Sequence, residues 1–177
     1  MKNIYQDHLT KALKINNESE RLTYLTSILR SLLQLAVITS FEITRDLAPS
    51  DEIDLIELTT RFRKPADGLP LQILDNLTPI LRSYTDNRFL YGWFETNRFI
   101  DEPLSKQLIN WVAFRNRRPG HGVLDTSVIS VWSAKTLKII RDCLNVFSMI
   151  IPIAGEDGSL KLQKECKRPA VPSVKII

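Results

Sequence analysis

Up to about residue 152 the apolar positions recur at three- and four-residue steps, the period of helices with one buried face. The longest run is Leu22, Leu25, Ile28, Leu29, Leu32, Leu33, Ala36, Val37 and Phe41. Asn17 followed by Glu20 has the form of a helix-start capping pair, and Pro49 lies beyond the run. The pattern predicts a long helix from about Asn17 that ends before Pro49, with an apolar face broad enough for the centre of a bundle. Ser50, Asp51 and Glu52 then start a helix with acidic residues at its positive end, and Ile53, Ile56, Leu58 and Phe62 form its buried side. Lys64 to Pro70 reads as a loop, and a helix from about Leu71 to Thr85 carries Leu74, Leu77, Ile80 and Leu81. Pro79 either kinks that helix or divides it into two pieces.

Asn87 to Asp101 is rich in aromatic residues (Phe89, Tyr91, Trp93, Phe94, Phe99) and reads as a packed connection or a short helix. Glu102 or Pro103 opens a helix through Leu108, Trp111, Val112 and Phe114 to Arg115, and Pro119-Gly120 interrupts it. Asp125-Thr126-Ser127 caps the last long helix, whose expected apolar face is Val128, Val131, Ala134, Leu137, Ile140, Leu144 and Phe147. Beyond Ile153 the character changes. Gly155 to Gly158 is a turn, Ser159 to Leu162 fits a short strand, and the end from Arg168 carries too much proline for a helix. The expected fold is therefore all-α, a bundle of about five to six helices over residues 1–152. A short irregular or β extension follows over 153–177, or else the start of a further module of a longer protein.

Composition narrows this picture only a little. Hydrophobic content of 44% and charged content of 25% suit one folded domain with a core. The net charge of +4 and pI near 9.1 permit an anionic partner without requiring one. Cys143 and Cys166 are isolated, and with two histidines in the chain no usual zinc set can be assembled, so neither a metal nor another cofactor is expected. Cys143 reads as a small core residue. The N-terminus has no apolar signal core, and no uninterrupted apolar run reaches about 18 residues. A soluble, cytoplasmic protein with no membrane partner is the expectation.

The chemistry concentrates at one helix break, Arg115-Asn-Arg-Arg-Pro-Gly-His-Gly122. Guanidinium binds phosphate by paired hydrogen bonds, and imidazole transfers protons near neutral pH. Metal-independent RNA cleavage needs the ribose 2′-OH deprotonated, the leaving 5′-oxygen protonated and the phosphorane charge stabilised. His121 suits the proton transfers and Arg115 the charge, while Asn116 can orient the imidazole or bond the substrate. One histidine cannot readily be acid and base at once. Arg117 and Arg118 add nucleic-acid-binding charge, and either could replace Arg115 as the phosphate ligand. Lys135 and Lys138, with Arg141, could extend a basic strip along the last helix.

With its polar follower and five residues before the histidine, Arg115-Asn116…His121 resembles the motif of the HEPN superfamily. The resemblance spans roughly residues 17–152 in architecture, but only 115–122 in motif. It implies a small all-α bundle and a metal-independent ribonuclease. It also implies a homodimer that brings two copies of Arg115 and His121 into one groove, working on RNA in a toxin or antiviral-defence setting. Products would be a 2′,3′-cyclic phosphate and a 5′-OH, and a cognate antitoxin or further domains would be the other partners. The Pro119-Gly120 pair lengthens the usual four-residue spacing, and Val123 stands where a subset of the toxins has a modifiable tyrosine. The plainer reading is a cationic helix end followed by a turn, in a non-catalytic dimerisation or regulatory module of a larger protein. His8 reads as a solvated surface residue, and Trp111 and Trp132 as core or dimer contacts rather than base-stacking platforms.

Overall fold

The computed structural model describes residues 2–3, 5–47, 57, 60, 66–84, 88–116, 125–151, 153–154 and 160–161. It is mostly helical, as the periodicity requires. Helix α1 covers Gln6–Leu13, α2 Glu18–Leu47, α3 Leu69–Tyr84, α4 Leu104–Asn116 and α5 Thr126–Val146. A 3-10 helix over Arg88–Trp93 links α3 to α4. Of the helix expected over 50–62, only Glu57 and Thr60 are described, both helical and exposed; the rest lies outside the described residues.

Helix α2, 30 residues and about 45 Å long, is the spine of the bundle. Its start is as expected: the Asn17 side chain accepts from the amides of Ser19 (3.0 Å) and Glu20 (3.1 Å). Leu22, Leu25, Ile28, Leu29, Leu32, Leu33, Ala36 and Val37 are all buried, each leucine or isoleucine contributing roughly 1.5–3 kcal/mol. The stretch Glu18–Arg45 is long and apolar enough to cross a membrane by length and composition, with a mean hydropathy of 1.4. Of its most apolar window 44% is buried inside the bundle, so core packing uses much of that apolar character.

Helix α1 was not signalled by the sequence pattern. Its short face, Leu9 and Ala12, packs with Tyr5 into the main core. Helix α3 starts at Leu69, two residues earlier than expected, because Pro70 is well tolerated in a first turn where its missing N–H has no intrahelical role. Pro79 neither divides α3 nor ends it. It lies on the exposed side, and Asp75, whose carbonyl it deprives of an amide partner, is exposed as well.

The aromatic segment splits its residues. Leu90 and Trp93 are fully buried, and Trp93 Nε1 donates to Asp75 Oδ1 at 2.7 Å, while Tyr91, Phe94 and Phe99 stay exposed. Gly92 lies where a Cβ would come within 2.6 Å of Ile100 Cδ1 and 3.0 Å of Val146 Cγ2, so the 3-10 helix can press against α5.

Helix α5 is capped as expected, the Asp125 side chain accepting from the Ser127 amide at 2.9 Å. Its buried stripe matches the expected one in its C-terminal half, where Ile140 and Phe147 are buried and Leu137 and Leu144 pack against the core, and departs from it in the N-terminal half. Ser133, Thr136, Ile139, Ile140, Cys143 and Val146 face the core, whereas Val128, Val131 and Ala134 are exposed. Small hydroxyl residues let α5 approach α2 closely; the Ser133 hydroxyl reaches the Glu18 carbonyl at 3.4 Å. Beyond the bundle, β1 (Lys2–Asn3), β2 (Ile153–Ala154) and β3 (Leu160–Lys161) form an antiparallel sheet in that order. Lys2 pairs with Ala154 and Asn3 with Ile153; Ile153 pairs with Lys161 and Ala154 with Leu160. The strand expected near 159–162 is present, and its sheet also recruits the N-terminus.

Candidate functional site

Arg115 and Asn116 are the last two residues of α4. Arg115 is not a solvated helix-end cation: its side chain is 25% exposed and its Nε forms an ion pair with Asp67 Oδ2 at 3.0 Å. Its guanidinium carbon lies 5.5 Å from the ring centroid of Trp111, one turn earlier. Arg30, from the middle of α2, grips the same carboxylate side-on, Nε to Oδ1 at 2.7 Å and Nη2 to Oδ2 at 2.9 Å. Asp67 thus accepts two N–H groups from Arg30 and forms an ion pair with Arg115, with its side chain only 15% exposed. Asn116 is exposed.

Arg30, Asp67 and Asn116, but not Arg115, line a cleft of about 820 Å³ between α2, the start of α3 and the end of α4. Leu33, Trp111 and Val112 supply its apolar lining, and Gln34, Gln72 and Asn116 its amides. Gly68 sits beside the cleft with its Cα face against Val112 Cγ1, where a Cβ would be 3.8 Å away. Trp111 is 1% exposed, and its buried indole Nε1 meets no hydrogen-bond acceptor among the described residues. An orphan donor of this kind costs roughly 1–3 kcal/mol unless a water or ligand oxygen meets it.

His121, Arg117 and Arg118 lie outside the described residues. Lys135 is exposed, its Nζ 4.9 Å from the ring centroid of Trp132. Trp132 stacks on Phe114 at 4.1 Å between centroids, 10° from parallel, and both rings are partly buried. Lys138 is engaged elsewhere: its ammonium contacts Asp101 Oδ1 at 2.6 Å and Asp142 Oδ2 at 2.9 Å. Two carboxylates therefore already balance the charge expected to serve the basic strip. Burial alone would lower the Lys138 pKa, but the hydrogen bonds and charges of Asp101 and Asp142 outweigh it and hold it above the usual lysine value. Asp101 is correspondingly held below the usual carboxylate value by its hydrogen bond to Lys138.

Asp142 is 5% exposed and also accepts from Gln107 Nε2 at 2.8 Å, which ties α5 to the start of α4. Cys143 is a core residue, as its composition suggested, and burial pushes its thiol well up, assisted by the Asp142 charge. His8 is exposed and its Nδ1 lies 2.9 Å from the Tyr24 hydroxyl. Among the described residues no group of three His, Cys, Asp or Glu side chains is placed to hold a metal ion.

Sequence reasoning missed Arg30 and Asp67. Asp67 stands in an Asp-Gly pair that reads as turn chemistry, and Arg30 lies on the polar side of a long helix, 37 positions away. No local signal links them. The chain matches no protein-family model, curated protein or solved structure.

Proposed function

We propose that this protein is a HEPN-like, metal-independent endoribonuclease that works as a homodimer in the cytosol, in a toxin or antiviral-defence setting. The reading is carried by the position of Arg115 and Asn116 at the end of α4, followed in sequence by His121 and then by the Asp125-capped α5. Arg115 is also fixed on Asp67 and Trp111, which suits a group that must meet a phosphate in a set orientation.

In the reaction the ribose 2′-oxygen attacks phosphorus as one His121 removes its proton. The phosphorus–5′-oxygen bond breaks and that oxygen is protonated by the second subunit's His121, leaving a 2′,3′-cyclic phosphate and a 5′-OH. Arg115 neutralises the charge of the phosphorane, and Asn116 bonds the substrate or the imidazole. Val128 and Val131 on α5 and Ile109 on α4, exposed on the two helices that flank the motif, are the apolar positions offered to a second copy. Arg117, Arg118 and Lys135 would add phosphate contacts.

Incubation with RNA followed by end-group analysis tests this. His121→Ala and Arg115→Ala each abolish cleavage while helicity and dimer mass persist; undiminished cleavage by either variant refutes the mechanism. A second reading is favoured by the ion pair itself. Arg115 held by Asp67 ties α4 to α3 and α2, so the same residue can serve a non-catalytic dimerisation or regulatory module. In that case the purified dimer leaves RNA intact at any protein concentration.

A further inference from the structure

We infer that Asp67 is a positioning residue for the proposed cleavage: it sets the direction of the Arg115 guanidinium, and Arg30 holds Asp67 in turn. The inference rests on the ribonuclease reading above, in which Arg115 meets the phosphorane. It adds to that site two residues from outside the motif.

The backbone under Asp67 is fixed. A turn directly ahead of α3 is closed by the Leu69 amide, which donates to the Ala66 carbonyl at 3.3 Å. Within it, Gly68 rests on α4: a Cβ there would lie 3.8 Å from Val112 Cγ1, and Val112 packs against the core. Val112 is about one turn before Arg115 on the same helix. Carboxylate and guanidinium are therefore mounted on surfaces already in contact.

Both oxygens of Asp67 go to guanidinium groups. Oδ1 accepts from Arg30 Nε at 2.7 Å and Oδ2 from Arg30 Nη2 at 2.9 Å, a paired grip that fixes the carboxylate plane. Held in this way, Oδ2 pairs with Arg115 Nε at 3.0 Å. Nε is the atom through which the side chain joins its planar head, so this contact restricts the swing of the whole guanidinium. The ring of Trp111, a buried residue one turn back, limits it further, with its centroid 5.5 Å from the guanidinium carbon. An arginine ordered before the substrate arrives does not lose that freedom during the reaction. Because Arg30 shares the charge of Asp67, Arg115 is tethered without being neutralised outright. Arg30 also joins α2 to this turn by two bonds, and Gly68 seats the turn on α4. What the Asp67–Arg115 contact adds is direction.

Single-turnover cleavage of an RNA oligomer tests this, each variant being checked for its fold by circular dichroism at the assay temperature. Asp67→Asn keeps the shape and removes the charge. It should slow the chemical step about 10- to 100-fold, the order of loss from a misplaced catalytic group, while RNA affinity changes less than about twofold. Asp67→Glu should recover part of the rate. Arg30→Gln, which loosens the carboxylate without removing it, should cost less than Asp67→Asn and carries the same readouts should the Asp67 variant not fold. In Arg115→Gln protein, with no guanidinium left to aim, adding Asp67→Asn should leave the residual rate unchanged.

A stereochemical readout separates direction from stability. With sulfur in place of one or the other non-bridging oxygen of the scissile phosphate, wild type should prefer one diastereomer, and Asp67→Asn should lose most of that preference. The inference is overturned if folded Asp67→Asn protein cleaves at the wild-type rate, keeps the full sulfur preference, or loses rate equally with and without the Arg115 guanidinium. Those results, with wild type active and His121→Ala inactive, leave the ribonuclease reading standing. If wild type does not cleave, or His121→Ala cleaves undiminished, that reading fails and this inference fails with it.

Discussion

Replacing Asp67 with alanine is the most direct test of how the α2–α3–α4 corner is held. The substitution removes a carboxylate that accepts two N–H groups from Arg30 and pairs with Arg115, and brings two guanidinium groups together without the charge between them. For a fully buried pair, loss of one partner costs about 3–5 kcal/mol, and for an exposed pair about 0–1 kcal/mol. Here the Arg30 side chain is 48% exposed and recovers water, whereas Arg115 at 25% and Asp67 at 15% lie nearer the buried limit. A net loss of about 2 kcal/mol follows by interpolation. For a chain of this length each kcal/mol moves Tm by about 2–4 °C, so Asp67→Ala should melt about 4–8 °C lower in far-UV circular dichroism.

A double-mutant cycle with Arg115→Ala isolates the pair and should return a coupling of about 1 kcal/mol or more. A fall in Tm below about 2 °C, or a coupling below about 0.5 kcal/mol, would mean that the three contacts are a solvated surface arrangement. The cleft would then lose its fixed geometry as well.

Two further expectations come from other parts of the bundle. Gly92→Ala places a methyl within 2.6 Å of Ile100 Cδ1, and Ile100 is itself buried and cannot easily yield; a loss of about 1–3 kcal/mol in urea unfolding is expected, and an unchanged midpoint would disprove the close packing.

The Asp101–Lys138 link should show a stability window in pH. The Asp101 pKa is lowered in the fold, so its contribution is present above the unfolded value near 3.8 and is lost as pH falls through the lower folded value. The Lys138 pKa is raised, so its contribution is full below the unfolded value near 10.5 and is lost as pH rises through the higher folded value. The Tm difference between wild type and Asp101→Asn should therefore be steady at neutral pH and shrink at both extremes. A difference that keeps the same size down to the lowest pH at which the protein stays folded would refute the pairing.

Periodicity and end signals carried most of the helical bundle, because both are local. The spacing from Leu22 to Val37 gives α2 a single buried face wherever it packs, and Asn17 and Asp125 cap the amides of their own first turns. The placing of Arg115 in the last turn of α4 was legible for the same reason. Helix α1 was not, since two buried residues in eight leave too short a pattern to stand out.

The buried face of α5 was a different kind of question. Apolar spacing singled out Val128, Val131 and Ala134, yet these are exposed while Ser133 and Thr136 are buried, and Ser133 meets the Glu18 carbonyl of α2. Close approach of two backbones favours small side chains over apolar ones, and that preference exists only once a partner helix is in place. The same holds for the site. That Arg115 carries a charge was plain from the chain, but its orientation is set by Asp67 and Arg30, which arrive from two other elements. Local sequence determined which residues could form helices and caps and where the candidate chemistry lies along the chain. Only the tertiary structure decided which faces are covered and which charges meet, because burial and ion pairing depend on distances between segments that the order of residues does not specify.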